Sequence, residues 1–315
     1  MKRYIIIFLI IVTVTVAFTQ DTKFSALVYY ELNYVPDDNR EISNQFEYRR
    51  IYFTFDKKMS EKLSYKFQTD VSRTNDDGRL TVFIKNAKID WKTDYGMIVI
   101  GVQEMNVFAI QRNTWGYRSI DKTAMNKNNW ASTADLGIGY YNNFHNFNYS
   151  VLITNGTGFK LPENDSYKKI STQIYYGSGK LNSQNGVNSG LVFTYEPYHV
   201  ENGYTETKFV TGLFGGYASG PVRIGAEFDQ LIDSNISETI KILSGYGNLE
   251  ICEKASIFAR LDNVNYGSTT MNYIIAGIAV SPETGIKIMP NIRYTKSTNK
   301  TVDLEYKLNF EFDIK

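Results

Sequence analysis

Hydrophobic and polar residues alternate with a period of two in the stretch LSYKFQTDVS, residues 63–72. Tyr65 and Phe67 belong to the apolar series, and Lys66 and Asp70 belong to the polar series. Because successive residues of a β-strand point to opposite faces, this stretch predicts a strand with one apolar and one polar face. The pattern alone leaves open which of the two faces lies toward the interior of the protein.

The same alternation recurs along the chain, and no convincing helical period interrupts it. Examples are VRIGAEFDQ, ASIFARLDN, IKIMPNIRYT and the final run DLEYKLNFEFDI. Turn-forming sequences such as PDDN, NDDG and SPETG separate the runs. We count about sixteen runs, and an even number of alternating segments of roughly ten residues is the sequence signature of an outer-membrane barrel. We therefore predict an all-β fold, a transmembrane antiparallel up-and-down β-barrel of about 16 strands.

The charges favour a membrane barrel over a soluble sandwich. In almost every run the apolar series is aromatic or β-branched, whereas the other series is often fully charged. If the polar series faces a water-filled lumen, charges such as Lys66 cost little, whereas a lysine on the lipid face at the midplane would cost about 2–4 kcal/mol. Closure also removes the exposed edge strands of a long sheet. A structural or adhesive barrel with a closed lumen and a secreted soluble β-protein remain as alternatives.

The N-terminus has the composition of a secretory signal peptide. Lys2 and Arg3 precede an apolar run, and Ala17 and Thr19 supply small residues at its end. The run is shorter than the roughly 20 residues that a spanning helix needs. We expect cleavage near Thr19, which leaves residues 20–315 as a single transmembrane barrel in the bacterial outer membrane.

The longest connection between predicted strands covers residues 103–133. With the mature N-terminus in the periplasm, the first outer loop falls near 35–43, the second near 73–79, and this connection is the third. Connections of this length are usually functional. In general porins the third outer loop folds back into the lumen and narrows it, so we expect the same here. The interior of the barrel should otherwise hold water rather than a packed core.

Composition excludes several other classes of function. The chain has 34 Lys and Arg against 33 Asp and Glu, which gives no electrostatic case for binding nucleic acid. The single cysteine, Cys252, excludes an internal disulfide framework and a multi-cysteine metal site. We expect no cofactor and no metal. The expected partners are outer-membrane lipid, small ions and hydrophilic solutes.

Three segments resemble the porins grouped with the phosphate-selective, O/P-type porins. They are RRIYFTFDKKMSEKLSYKFQTDV, IVIGVQEMNVF and RSIDKTAMNKNNWASTADLGIGYY. The shared arrangement is a double-arginine strand, a short turn, a K-x-Q-x-D strand, a strand leading into the long loop and an Asp-Leu-Gly strand after it. The resemblance implies a diffusion channel, sixteen-stranded and homotrimeric. The arginine-rich ladder expected of a phosphate channel is not evident, so phosphate selectivity is not carried over.

Charged residues at the narrowest point of a channel set its selectivity, so the inward series supplies the candidate site. The candidate pore-lining and constriction residues are Arg50, Lys66, Asp70, Lys88, Arg223, Glu227, Arg260, Arg293 and Lys307 on the wall, and Glu104, Arg112, Arg118, Asp121 and Lys122 in the long loop. Loop acids facing a basic wall would create a transverse field. These side chains could also merely solvate the lumen or pair with one another. Strict alternation places Arg49 on the lipid side, unless it lies at headgroup level or a bulge shifts the register.

The sequence gives little support to an enzyme. A Ser/His site needs a well-placed histidine, and the chain has only His145 and His199. His145 falls in a predicted periplasmic turn and His199 near an outer loop, and no G-x-S-x-G motif occurs. We therefore predict a channel and not an enzyme.

Overall fold

A computed structural model of the protein describes residues 21–35, 44–74, 78–200, 203–298 and 302–315. The expected signal peptide, residues 1–19, and most of the first outer loop lie outside the described residues. The boundary of the mature chain therefore stays a prediction.

Within the described ranges the chain forms sixteen strands, which pair in sequence order and close through β1 and β16 into one antiparallel barrel. This confirms the predicted strand number and topology. The strands are β1 Thr22–Tyr34, β2 Asn44–Lys58, β3 Leu63–Arg73, β4 Leu80–Thr93, β5 Gly96–Glu104, β6 Ala134–Phe144, β7 Phe147–Thr154, β8 Lys169–Gly177, β9 Gly186–His199, β10 Thr205–Ser219, β11 Val222–Asp233, β12 Ile240–Cys252, β13 Ala255–Asn265, β14 Thr270–Glu283, β15 Ile286–Ser297 and β16 Asp303–Ile314.

The polar series of β3 faces the lumen. Gln68 donates a hydrogen bond to the Thr54 hydroxyl of β2 at 2.7 Å and accepts one from Asn86 of β4 at 2.9 Å. The neighbouring Phe67 points to the opposite, outer face of the sheet. There it is paired with Phe55 of β2 and with Ala87 of β4. The outer surface is correspondingly apolar, with side chains such as Ile100 and Leu243 exposed by 48% and 58%. An apolar band of this extent needs an apolar environment, as the sequence interpretation requires.

Two β-bulges break the alternation and turn extra cations inward. The pairing of β1 with β2 shifts between Tyr29 and Tyr30, so that Arg49 is the additional residue of β2. Arg49 then reaches the inward Glu31, with its Nε 3.4 Å from the carboxylate. The pairing of β3 with β4 shifts in the same way and leaves Lys85 as the additional residue. The bulge is therefore the explanation for the position of Arg49.

Residues 105–133 connect β5 to β6, and we call this segment the inner loop. It contains two short helices, α1 Ala109–Trp115 and α2 Ala124–Lys127. Gly116 ends α1 in the left-handed conformation, with φ of 76°, where its amide donates back to the Arg112 carbonyl. Of the helices in the described ranges, none is long and apolar enough to cross a membrane.

The inner loop packs against the inner wall through an apolar core. One part joins Phe108, Met125 and other loop side chains to inward residues of β7 and β9–β13, such as Phe214 and Ile242. A second part surrounds Trp115, which is 1% exposed. The expectation of a water-filled interior without a packed core is therefore wrong for this half of the barrel. The physical reason is that inward positions of β7 and β9–β13 include large apolar side chains, which need cover from water.

The face assignment predicts different results for two adjacent substitutions in β3. Phe67→Arg places a charge on the lipid-facing band at a cost of about 2–4 kcal/mol, so folding into lipid vesicles should fall markedly. Gln68→Arg places the same charge in the lumen and should fold as the unsubstituted chain does. The heat-dependent electrophoretic shift of the folded barrel measures both, and equal impairment by the two variants would contradict the assignment.

Candidate functional site

The inner loop packs against one side of the inner wall and leaves space between itself and other strands. Beyond the apolar core, the loop reaches β15 and β16, where Arg293 donates to the Ile120 carbonyl at 2.8 Å and Asn309 donates to the Ser119 carbonyl at 3.3 Å. The opposite side of the loop faces β1–β4. We call the space between the inner loop and these four strands the passage.

Three arginines predicted to line the pore instead hold the inner loop. Arg223 donates to the Trp115 carbonyl at 3.3 Å, Arg260 donates to the Lys122 carbonyl, and Arg293 donates to the Ile120 carbonyl. Arg260 also forms a fully buried ion pair with Asp262, 2.6 Å between nitrogen and oxygen. These residues face inward, as their strand positions require, but the loop covers them. Their guanidinium groups serve as donors for loop carbonyls that have no partner within the loop.

Two predicted acids, one on the wall and one in the inner loop, are buried where the loop meets the wall. Glu227, 2% exposed, accepts a hydrogen bond from the Ala124 amide at 3.3 Å. Asp121 accepts from the Tyr273 hydroxyl at 2.8 Å and pairs with Lys127 at 3.1 Å. Burial by itself would raise the pKa of Asp121, but Lys127 and the neighbouring arginines of β13 and β15 hold this pKa well below its usual range. Asp121 is therefore an ionised structural anchor away from the passage.

Cations of the wall and the loop meet across the passage. Arg50 and Arg49 come from β2, Lys85 comes from the bulge in β4, and Arg118 and Lys122 come from the inner loop. A cavity of about 290 Å³ at the outer ends of β2 and β3 has Arg49, Arg50, Arg118 and Lys122 in its lining. We call Arg49, Arg50, Lys85, Arg118 and Lys122 the basic cluster.

Acids neutralise only part of the basic cluster. Arg50 pairs with Asp70 at 2.9 Å, and Arg49 pairs with Glu31. Lys85 donates to the Tyr52 hydroxyl at 3.2 Å instead of to a carboxylate. Across the described residues, no carboxylate forms an ion pair with Lys85, Arg118 or Lys122. The passage therefore carries a net positive charge.

Burial and the charges of the basic cluster lower the pKa of residues in and next to it. Burial lowers the pKa of Lys122 to about 8, and the positive charges of Arg118 and Arg50 act in the same direction. Burial also lowers the pKa of the neighbouring Arg112, with a further contribution from Arg118. Arg112 forms an ion pair with Glu104 next to the cluster. Like charges held together in a partly enclosed space are typical of a site that attracts an opposite charge.

The other predicted wall cations face the lumen in local ion pairs. Lys66 pairs with Asp56 at 3.3 Å, and Lys88 pairs with Asp90 at 2.7 Å. Lys307 lies 3.2 Å from Glu31 and so touches the acid that also binds Arg49. A second cavity of about 590 Å³, lined in part by Lys88 and Glu104, lies between the inner loop and β4–β8.

Sequence reasoning missed Lys85 and Lys160. In the sequence, Lys85 and Asn86 are two adjacent polar residues, and this pair breaks the alternation of β4. The break is the one sequence signal of the bulge. Lys160 belongs to an outer connection, where no periodic pattern assigns a direction to a side chain. The tertiary structure places Lys160 in the lining of the cavity of about 290 Å³.

The two histidines of the chain lie far apart. His145 lies in the turn after β6 and His199 at the end of β9, which are opposite ends of the barrel. In the part of the chain that the structure describes, no three His, Cys, Asp or Glu side chains are arranged to hold a metal ion.

Solved outer-membrane porins share this fold, although no protein-family model and no curated protein sequence matches the chain. The anion-selective porin from Comamonas acidovorans matches with a TM-score of 0.70 and 12% identity, over 93% of this chain and 99% of that chain. The outer membrane channel DcaP of Acinetobacter baumannii matches with a TM-score of 0.67, 12% identity and coverages of 93% and 97%. A trimer form of OmpT, an outer membrane protein of Vibrio cholerae, matches with a TM-score of 0.66, 12% identity and coverages of 93% and 98%. Identities this low show the fold alone.

We expect Trp115→Ala to loosen the inner loop without opening the barrel. Trp115 packs against Tyr246 and Phe258 of the wall, and truncation of a buried tryptophan costs roughly 3–5 kcal/mol. Limited proteolysis of the folded protein should then cut within residues 105–133, whereas the barrel strands stay protected. Trp91→Ala is the matched control, because Trp91 is exposed on β4. A loop that resists the protease equally in both variants would contradict the role of this core.

Proposed function

We propose that the chain is an outer-membrane porin through which small hydrophilic solutes and ions diffuse passively, with a preference for anions. The observation that carries the proposal is the basic cluster, because Lys85, Arg118 and Lys122 face the passage without a paired carboxylate. The anion preference is a step beyond the sequence analysis, which does not fix the sign of selectivity.

The location of the charge explains the preference for anions. Rings and clusters of lysine and arginine at a constriction favour anions, since the walls have a low dielectric and concentrate the field in the water between them. The buried acids beneath the inner loop contribute little to this field at the passage, because Arg260 and Lys127 pair with two of them. The passage therefore presents cations to a permeating ion more strongly than the composition of the whole chain suggests.

The similar structures support the rest of the proposal. A porin fold with an apolar outer band favours the outer membrane, which in turn fits the signal peptide expected in residues 1–19. One structural neighbour is described as a trimer, and the resemblance to O/P-type porins also implies a homotrimer. Phosphate selectivity is not part of the proposal, because the cations form one cluster at the passage instead of a ladder along the lumen. The proposal is for a channel and not an enzyme.

A second candidate function is a structural or adhesive barrel with a closed lumen. The apolar core between the inner loop and β7 and β9–β13 favours this candidate, since it fills part of the interior. Single-channel recording in planar bilayers distinguishes the two candidates. Folded protein that never produces conductance steps would exclude the porin and support the closed barrel.

A salt gradient across the bilayer tests the sign of selectivity. We expect the reversal potential in a KCl gradient to indicate a preference for chloride. Arg118→Gln removes one unpaired cation and should move the reversal potential toward the non-selective value. Lys180→Gln, in the exposed turn after β8, is the control and should have no effect. A cation-selective channel would contradict the proposal.

The pKa of Lys122 predicts that the anion preference depends on pH. A lysine with a pKa lowered to about 8 is charged below that pH and neutral above it. The chloride preference should therefore decline as the pH rises from 7 to 9. Lys122→Arg keeps its charge over this range and should remove the decline. The reversal potential measured at each pH for both proteins gives the result, and a decline that persists in Lys122→Arg would assign it to another group.

A further inference from the structure

A second outer connection also enters the mouth of the barrel. Residues 155–168 join β7 to β8, and we call them the strap. The strap first lies along β6, where the Gly156 amide donates to Asp135 at 2.6 Å and the Phe159 amide donates to the Ala134 carbonyl at 3.1 Å. These bonds lead the chain away from its own strands, past β6 and toward β4 and β3.

The tip of the strap reaches β3 and β4. Lys160 Nζ donates to the Ser72 hydroxyl of β3 at 2.7 Å and lies 4.5 Å from the ring centroid of Phe83 on β4. Phe159 packs edge-on against the same ring, with centroids 6.3 Å apart. The strap thereby crosses the mouth from β7 and β8 to the wall that carries the basic cluster.

The far side of the strap is anchored separately. Asp165 accepts a hydrogen bond from the His199 amide at 3.3 Å, and the Tyr167 hydroxyl lies 2.7 Å from that of Thr205. The strap is therefore held at its base by β6, β9 and β10 and at its tip by β3 and β4. The position of Lys160 follows from contacts at both ends.

Lys160 lines the same cavity as Arg49, Arg50, Arg118 and Lys122. Among the described residues its ammonium forms no ion pair with a carboxylate, and the Ser72 hydroxyl is its hydrogen-bond acceptor. Burial lowers the pKa of Lys160, and the charge of Arg50 contributes in the same direction. The lining also contains Arg73, which is paired with the one carboxylate of the lining, Glu47. A further cation beside these five is unfavourable in an empty cavity, whereas an anion in the cavity would relieve the repulsion.

We propose that Lys160 is a specificity-determining residue. With Lys160, the cavity next to the tip of the strap is an outer binding site that attracts small anions before they pass the inner loop. This inference rests on the proposed function of an anion-preferring porin. The ligand class is small inorganic or organic anions, since the cavity of about 290 Å³ is open to water and lined mainly by cationic and hydroxyl groups. The strap adds a selectivity element that is separate from the inner loop.

The strap itself offers a matched control. Lys168 carries the same charge eight positions later on the strap, but it lies near Glu163, at 3.8 Å, and donates to the Tyr167 carbonyl, away from the cavity. In planar bilayers with a KCl gradient we expect K160Q to lower the chloride-to-potassium permeability ratio by about twofold or more. K168Q should keep the ratio of the unsubstituted protein. K160R should keep it as well, since it restores the charge.

Salt concentration separates recruitment from a change in pore width. A recruiting charge acts most strongly at low ionic strength, so the conductance lost in K160Q should be large at 0.01 M KCl and small at 1 M KCl. An equal loss at both concentrations would overturn the inference and indicate a steric effect. The heat-dependent electrophoretic shift verifies that each variant is folded.

The remaining outcomes are also decisive. If the unsubstituted protein is anion-selective and K160Q does not differ from it, Lys160 has no role in specificity and only this inference fails. If K168Q lowers the ratio as much as K160Q does, the position of Lys160 at the tip of the strap is irrelevant, and the inference fails for that reason. If the unsubstituted protein shows no conductance or prefers cations, the proposed function itself fails.

Discussion

The apolar contact between the inner loop and one half of the inner wall determines the rest of the interior. A barrel of sixteen strands encloses more space than its own side chains fill, so the interior must hold water or a folded segment. Here residues of the inner loop cover inward-facing Leu152, Val192 and Ile242, and all three are almost completely buried. This burial offsets the entropy lost when a long connection is ordered. The cavity lined by Arg49, Arg50, Arg118 and Lys122 consequently lies on the side of β1–β3.

The same contact separates the charges of the chain. Glu227 and Asp262 are buried on the covered side, and Arg260 is buried beside them as a partner and as a donor to the loop. Lys85, Arg118 and Lys122 remain on the open side. A chain with a formal net charge of +1 thereby acquires a basic passage. The overall charge says little about the charge at the passage, because the fold decides which charges are covered by the inner loop and which face the open side.

The sequence was sufficient for the strands, the closed barrel and the inward direction of residues such as Lys66 and Asp70. Each depends on a local period of two, which the chain shows in nearly every strand. The position of the inner loop's charges could not be predicted, because it depends on contacts between segments distant in sequence. Arg293 shows the difference well: its inward direction follows from alternation, but its cover by the loop requires the carbonyl of Ile120. Lys160 lies in a connection without a periodic pattern, so not even the direction of its side chain could be predicted.

If the chain is the proposed channel, the two bulges explain how the cluster would attract ions without trapping them. A regular β2 would alternate strictly, so the two adjacent residues Arg49 and Arg50 could not both point inward; the bulge turns both into the lumen, and a second bulge adds Lys85 from β4. Glu31 and Asp70 then neutralise the two arginines in part. Conduction requires a site that is favourable enough for an ion to enter and weak enough for it to leave. A fully unpaired cluster would hold an anion too tightly, whereas a fully paired one would not attract it, and the partial pairing of these cations lies between the two.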